Sequence, residues 1–518
     1  MASTALDVPR GDPARQEHDY AAPAARFFDP ADLAAPEFAY PNDLRRNGRA
    51  AYFGCAPKDA RLFLGVTGGQ VRGKGRGRHV LGGRAVGYLD DRHMVTVAGS
   101  RGGKGRAAIV GNLLGYPGSM LVIDPKGELA RLTAQHRAER LGQRVHVLDP
   151  FGVVTGPAAQ YRTGCNLMAG MTEETAAEDA AMIGDGIVVP SDKEPHWDES
   201  ARSFIEGGGI IHVATHPNYE GRRNLATVQQ VLARGALDPD GQISMDGLQV
   251  EMEGNDAAGG AVQMAAADFF EKPANERGSV LSTARRHLKF LSLPGMRAVV
   301  SQDGFSLDVL KREAATIYLC LPARHARTCA RWLRTFINQA LVAMESIPGE
   351  PATGLPIIFL LEEFSSLGTM AQIEAAAAQM AGFGVKLWII LQDLGQLKSH
   401  YKDKWETFLG NAGVLQFFAN NDLTTLEWIS KRCGNVSIRV RHSSATSDNM
   451  KRSGVSGESW SDQVHPLLMP EEAAQIFGRD DEQLRQLIII PGLSPIILQR
   501  AFYDQHERFR GLATEEMR

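Results

Sequence analysis

The sequence predicts an α/β fold: a parallel-rich sheet interrupted by a large, mainly helical insertion. Three observations predict it. Apolar, strand-like runs alternate with helical stretches at the spacing of βαβ units. A glycine-rich loop separates one such run from a helix. Between about residues 158 and 308 strong strand runs are few, and Ala-rich amphipathic stretches take over.

The elements follow in order. Residues 1–25 are rich in Ala, Pro and charge and read as a mobile tail. Residues 26–90 are mixed, with the Gly/Arg-rich segment GGQVRGKGRGRHVLGGR. From His93 the pattern sharpens: HMVTVAG is a buried strand, SRGGKG a loop, RAAIVGNLLG a helix and SMLVID a strand. RVHVLDP is a further strand after a polar helix. Beyond the insertion come ATIYLCLP, a helix containing ARWLRTFINQALVAM, then IIFLLEEF, AQIEAAAAQMA, VKLWIILQ and GVLQFFANN. Residues 442–463 are Ser/Gly-rich and read as a mobile loop. The expected division is an N-terminal extension, 1–78, partly disordered; a first core segment, 79–157; an inserted all-α domain, 158–308; and a second core segment with a C-terminal extension, 309–518.

Composition narrows the function. The 518 residues suffice for about three domains, or one domain with a large insertion. Apolar residues make up 43% and charged residues 22%, which excludes a mainly disordered, collagen-like or disulfide-scaffold chain. Lys and Arg number 56 against 60 Asp and Glu, a net charge of −4, so any contact with nucleic acid comes from local patches. Cys55, Cys165, Cys320, Cys329 and Cys433 are scattered without a C-x-x-C pair. That disfavours both a disulfide framework and a zinc site, and fits a reducing cytoplasm.

No secretory signal stands at the start. The uncharged stretch Ala107 to Ile123 holds Asn112 and is broken by Pro117-Gly118, so it reads as helix, turn and strand rather than a membrane span. The run LIIIPGLSPIIL is too short to span and holds two prolines.

The sharpest local signal is Ala98-Gly99-Ser100-Arg101-Gly102-Gly103-Lys104-Gly105, after an apolar strand and opening a helix. That is the context of a phosphate loop, where small residues let backbone N–H groups approach phosphate oxygens. Lys104 would reach the β- and γ-phosphates. Two positions depart from the usual pattern: Ala98 replaces the first Gly, and Gly105 replaces the Ser/Thr whose hydroxyl binds magnesium. The bland alternative is a Gly-rich turn with a solvated lysine. GKGRGR at Arg72–Arg78 has no strong strand before it and reads as a flexible basic loop.

Glu362 and Glu363 end an apolar strand, where isolated buried charge is costly. A magnesium ion and an attacking water supply a reason for them: Glu362 would support the metal and Glu363 would activate the water. Gln392 ends the next apolar strand and could sense the γ-phosphate. Asp124 and Lys126 end a strand expected beside the loop; they could contact nucleotide or form a plain charged turn. The bland alternatives for Glu362, Glu363 and Gln392 are solvated groups at strand-to-loop junctions. His196 and the pair His212/His216 could look like metal ligands. The pair has i, i+4 spacing but no glutamate between, and reads as structural or solvated.

These motifs resemble the conjugative type IV coupling proteins, TraG-type ATPases of the TraG/TraD family, from about His93 to Tyr503. HMVTVAGSRGGKG, NLLGYPGSMLVIDPKGE and LGQRVHVLDP resemble the family's first nucleotide segment. EPHWDESAR resembles the start of its inserted all-α domain. FLLEEFSSLG resembles its second acidic motif, normally Asp-Glu, so Glu362 is a departure. LQDLGQLKSHY, NAGVLQFFANNDLTTLEWISKRCG, HPLLMPEEAAQI and IIIPGLSPIILQRAFYD resemble its late core and C-terminal end.

The resemblance implies RecA-like P-loop motor domains in a homo-hexamer, with ATP and Mg2+ at subunit interfaces and DNA in a central pore. Gly99, Ser100, Arg101, Gly102, Gly103, Lys104, Gly105, Arg106, Asp124 and Lys126 would hold nucleotide, and Glu363, Lys104 and Gln392 would be catalytic. The partners implied are a relaxase or relaxosome and the type IV secretion channel. The expected location is cytoplasmic, at the inner face of the plasma membrane. Family members commonly begin with transmembrane helices, for which this chain offers no candidate. That leaves a soluble member, a separate membrane partner or a truncation.

Two basic clusters could touch DNA phosphates without reading bases: Arg285, Arg286, Lys289 and Arg297, and Lys431, Arg432, Arg439 and Arg441. Each could equally be a solvated basic face. Arg432, Arg285 and Arg286 are candidates for a cation supplied to a neighbouring subunit's nucleotide. Two other functions compete with the coupling motor: a low-turnover nucleotide-binding recruitment platform, and a cytosolic DNA helicase-type motor.

Overall fold

The computed structural model describes residues 37–39, 49–53, 61–191, 194–238, 240–443 and 458–514. The chain divides into two compact units, Met1–Tyr116 with Trp388–Ala513, and Pro117–Leu387 with Thr514–Arg518. The expected tail, residues 1–25, and the centre of the expected Ser/Gly-rich loop, 444–457, lie outside the described residues.

The first unit is built on a mixed sheet. Its parallel part pairs His93–Ala98 with Ala412–Phe418 on one side and, through Trp388–Leu391, with the strand Val385–Leu391 on the other. An antiparallel series extends it through Arg485–Ile489, Ile496–Gln499, Leu62–Thr67, Arg84–Tyr88 and Ala50–Tyr52. Residues of the expected N-terminal extension thus form strands of the same sheet as His93–Ala98. The apolar run near 487–498 is a hairpin, because Pro491 and Pro495 break it between two strands.

A one-directional hydrogen-bond chain crosses the buried face of this sheet. Trp388 Nε1 donates to Thr96 Oγ1 (2.9 Å), which donates to Gln416 Oε1 (2.9 Å). Gln416 Nε2 donates to Gln486 Oε1 (2.7 Å), and Gln486 Nε2 to the Leu64 carbonyl (2.7 Å). Buried amides tolerate this site because each finds a partner, and such bonds polarise one another. The helix after His93–Ala98 opens as a π-helical turn, Gly105–Ile109, and continues as Val110–Gly115. Its Asn112 is buried: Oδ1 accepts from the Phe63 N–H (2.7 Å) and Nδ2 donates to the Phe63 carbonyl (2.9 Å). An amide that matches a strand's backbone in this way belongs to a packed α/β core.

The second unit carries a fully parallel four-stranded sheet, in the order Ile357–Leu361, Met120–Asp124, Ala315–Cys320, Arg144–Leu148. The long helix Ala323–Ser346 buries Trp332, Phe336, Ile337 and Met344 at helical spacing. Among the described residues of 176–300 helices dominate, and the strands there are those of the short hairpin Ala236–Leu237 with Ile243–Ser244. Asn224 caps Leu225–Arg234 by accepting from the Thr227 N–H (3.1 Å), and Gly235 ends that helix at φ 91°.

The edges of the expected 442–463 loop are strands. Asn435–Ser443 pairs antiparallel with Glu458–Pro466. Val436, Ile438 and Val440 alternate along Asn435–Ser443, and the first two are buried; the Ser/Gly-rich composition of 442–463 masked the pairing. The Gly/Arg stretch at 72–78 is the turn of a smaller hairpin, Gln70–Arg72 with His79–Leu81. Among the described residues no helix is long and apolar enough to cross a membrane.

Candidate functional site

In the first unit, three strand ends meet at the glycine-rich loop. Ala98 pairs with Phe418, and Val97 with Leu391, so the loop leaves its strand beside Ala419 and Gln392. Ala419 is left-handed (φ 57°), which turns its carbonyl towards the loop. A Cβ on Gly99 would lie 1.9 Å from that carbonyl oxygen. A Cβ on Gly102 would lie 2.6 Å from the Ala419 methyl. Both positions therefore need glycine for space. The Gly102 N–H closes a turn on the Gly99 carbonyl (2.9 Å), and Arg101 adopts φ 57° within it. Nothing lies within 4 Å of a Cβ at Gly105, so its lack of a side chain has no steric cause.

Arg500 locks the loop from the C-terminal segment. It is fully buried and donates to the carbonyls of Gly102 (3.2 Å) and Gly478 (3.2 Å). Burial lowers its pKa to about 10, against the opposing effect of Asp481 and Asp480. A sequence gives no sign of this, because Arg500 and Gly102 are 398 positions apart.

The other predicted loop residues are placed as follows. Lys104 is half-buried at the helix start; Ser100 and Arg101 are exposed. Arg106 turns to the C-terminal segment: its guanidinium grips the Asp504 carboxylate (3.0 and 2.6 Å) and lies over the Phe502 ring. Gly99, Ser100 and Gln392 border an open cleft of about 830 Å³ that Asp393, Asp422, Asp480 and Asp481 also line. Asn420 Oδ1 is buried there without a hydrogen-bond partner.

In the second unit, Glu362 and Glu363 directly follow the strand Ile357–Leu361 and are half-buried. Glu363 is left-handed (φ 54°), a conformation costing about 1–3 kcal/mol for a non-glycine residue. The buried Arg334 staples the following turn by donating to the carbonyls of Leu367 (2.7 Å) and Thr369 (2.7 Å). Leu360 pairs with Val122, so two residues further that register sets Glu362 level with Asp124. Asp124 is 1% exposed, and its oxygens accept from the N–H groups of Lys126 (3.2 Å) and Ala130 (2.8 Å) at a helix start. Burial raises its pKa to about 6, outweighing those two bonds. Lys126 is exposed.

The candidate cations divide. Arg285 donates to the carbonyls of Leu232 (3.4 Å) and Ala233 (2.7 Å) near a helix end, and Arg286 pairs with the buried Asp198 (2.8 Å), which His287 also contacts. Lys289, Lys431 and Arg432 are exposed, and Arg297 is half-buried. The side chains of Arg439 and Arg441 lie outside the described residues.

Comparison with known proteins fits these features. The chain is 28% identical over 407 residues to the conjugal transfer protein TraG of Escherichia coli, covering 74% of this chain and 62% of that one. It is 27% identical over 426 residues to the protein VirD4 of Agrobacterium fabrum, covering 81% and 60%. It thus spans less than two thirds of the length of these relatives. Its fold is similar to that of the bacterial conjugative coupling protein TrwB in an unbound form, with TM-score 0.60, 16% identity, and coverage of 88% of this chain and 98% of that one. A TrwB structure in complex with ADP and Mg2+ matches with TM-score 0.58 and 15% identity, covering 88% and 99%. Residues 64–516 match the family model described as Type IV secretory system Conjugative DNA transfer, and the chain belongs to that family.

Proposed function

We propose that the chain is a coupling ATPase of conjugative DNA transfer and type IV secretion. It binds DNA and relaxosome or protein substrates, and uses ATP hydrolysis to deliver them to a secretion channel. The observation that carries this is the loop from Gly99 to Arg106: a backbone turn with no room for side chains at Gly99 and Gly102, opening a helix at the carboxyl ends of parallel strands. Such a turn fits a phosphate chain, because helix N-termini leave N–H groups and positive partial charge for an anion.

Lys104 binds the β- and γ-phosphates, with Gly99, Ser100, Arg101, Gly102, Gly103, Gly105 and Arg106 framing them. Glu362 supports Mg2+, which neutralises phosphate charge when bound. Glu363 takes the proton of the attacking water, and Gln392 senses the γ-phosphate. Asp124 positions its turn, and Lys126 offers an exposed cation. Segments 79–157 and 309–518 form the RecA-like motor, 158–308 an inserted domain that is helical but for one short hairpin rather than all-α, and six copies a ring around DNA. The chain works at the cytoplasmic face of the membrane, beside the channel and its relaxase.

The test is ATP hydrolysis at low salt, with and without single-stranded DNA, beside Lys104→Ala and Glu363→Gln. The expected outcome is DNA-stimulated turnover, reduced about 100-fold or more in both variants. No turnover by intact protein that binds ATP and assembles would sink the autonomous motor. The missing hydroxyl at Gly105 favours the second reading, a low-turnover recruitment platform, in that event.

A further inference from the structure

The second unit holds a side-chain cluster that nucleotide chemistry does not use. His212 and His216 lie one turn apart, with His216 directly after the helix His212–Thr215. Glu251 reaches them from the helix Met245–Glu253, which the sequence places 35 residues beyond His216. One ligand atom from each of the three lies within 4.8 Å of the others. His212 is fully buried; His216 and Glu251 are half-buried and leave one side open.

The spacing of one pair is that of neighbouring ligands in a coordination shell. His212 Nε2 lies 3.3 Å from Glu251 Oε2. Two ligands at about 2.0–2.1 Å from a tetrahedral zinc ion stand about 3.3 Å apart. The carboxylate is also oriented from outside, as metal-binding carboxylates are. Tyr219 O–H donates to Oε2 (2.6 Å) and Asn218 Nδ2 to Oε1 (2.7 Å). Burial pushes the Glu251 pKa up, but the bonds from His212, Tyr219 and Asn218 overcome it and hold the carboxyl at about 2. Burial, with His212 nearby, lowers the His216 pKa and favours the neutral imidazole. Two imidazoles and one carboxylate suit a late first-row divalent cation.

We propose that His212, His216 and Glu251 form a site for such a cation, zinc fitting best, with a remaining position open to water or a partner's ligand. It is independent of the nucleotide reading. Without metal, Asn255 Nδ2 donates to His212 Nδ1 (3.1 Å), so the imidazole proton sits on Nε2, facing Glu251. Coordination through Nε2 moves that proton to Nδ1. Asn255 must then turn its carbonyl towards it, losing the bond its Oδ1 accepts from the Ala257 N–H (3.2 Å). Asn255 therefore sets the affinity, and a carboxylate in its place would accept the Nδ1 proton and tighten binding.

The experiment uses the untagged full chain, stripped by chelator and titrated with Zn2+ by calorimetry and Co2+ by visible absorption. One equivalent is expected, with the intense visible bands of four-coordinate Co2+. His216→Ala and Glu251→Gln should each weaken binding at least about 10-fold, and Asn255→Asp should tighten it about 10-fold. The melting temperature of the metal-free variants monitors folding. Failure of the folded wild-type chain to take up one equivalent would overturn the site. So would uptake that is unchanged in both ligand variants; the three side chains would then be a closed hydrogen-bond network.

Discussion

The glycine-rich loop of the first unit and the acidic loop of the second are built on opposite principles. The glycine-rich loop is made by absence: Gly99 and Gly102 admit no Cβ, because Ala419 occupies the space. The acidic loop is made by presence: a glutamate accepts a left-handed backbone, and Arg334 holds the carbonyls of Leu367 and Thr369. Glycine loops advertise themselves in a sequence. A loop held by a distant arginine does not. Each loop nevertheless has one such arginine, since Arg500 does for Gly102 what Arg334 does for Leu367.

The largest expected break of this contrast is Gly99→Ala. Its methyl would collide with the Ala419 carbonyl, so at least about 3 kcal/mol of stability should be lost in urea unfolding, with nucleotide binding. Retained stability and binding would show that the loop needs no glycine there.

Next comes the pH response of the acidic side. Asp124 has a folded pKa of about 6, against an ordinary aspartate value of 3.8. The folded state then holds more protons between those values, so stability present at low pH is lost as pH rises through that window. The group's share is up to about 3 kcal/mol. Urea unfolding at pH 4.5 and 7 should show this pH dependence in the wild type and less of it in Asp124→Asn. Equal slopes would contradict the raised pKa.

Arg334→Leu should cost about 2 kcal/mol, because two carbonyls lose their donor. If the staple positions Glu363, kcat should fall about 10-fold or more while KM for ATP changes little. A proportionate fall in binding alone would make Arg334 merely structural.

The smallest effect should be Gly105→Ser. Space is open there, so stability should shift by about 0.5 kcal/mol or less. The new hydroxyl should strengthen Mg2+-dependent nucleotide binding. A large destabilisation would mean that this departure from the usual loop has a structural cause.

The βαβ alternation was legible because buried parallel strands are continuous apolar runs, as in MLVID and ATIYLC. The loop and the paired acids were legible because strand ends mark the ligand edge of such a sheet. Arg106 was placed at the nucleotide by its position in the loop alone; the structure adds that its guanidinium pairs with Asp504. The hairpin around 435–466 was missed because the Ser/Gly-rich composition of 442–463 was weighed above the alternation of Val436, Ile438 and Val440. Glu251 was missed because metal spacing was sought within one helix, while the third ligand comes from another.

By itself, then, the sequence determined the fold class, the place of the glycine-rich loop and the acids ending their strand, all written in local periodicity and short-range spacing. Tertiary structure decided which side chains those loops lean on: Arg500, Arg334, the chain of Trp388, Thr96, Gln416 and Gln486, and the company of His212. Hydrogen bonds between groups tens to hundreds of positions apart leave no periodic trace in the chain. They exist only once burial has brought the strands together and made an unsatisfied polar group costly.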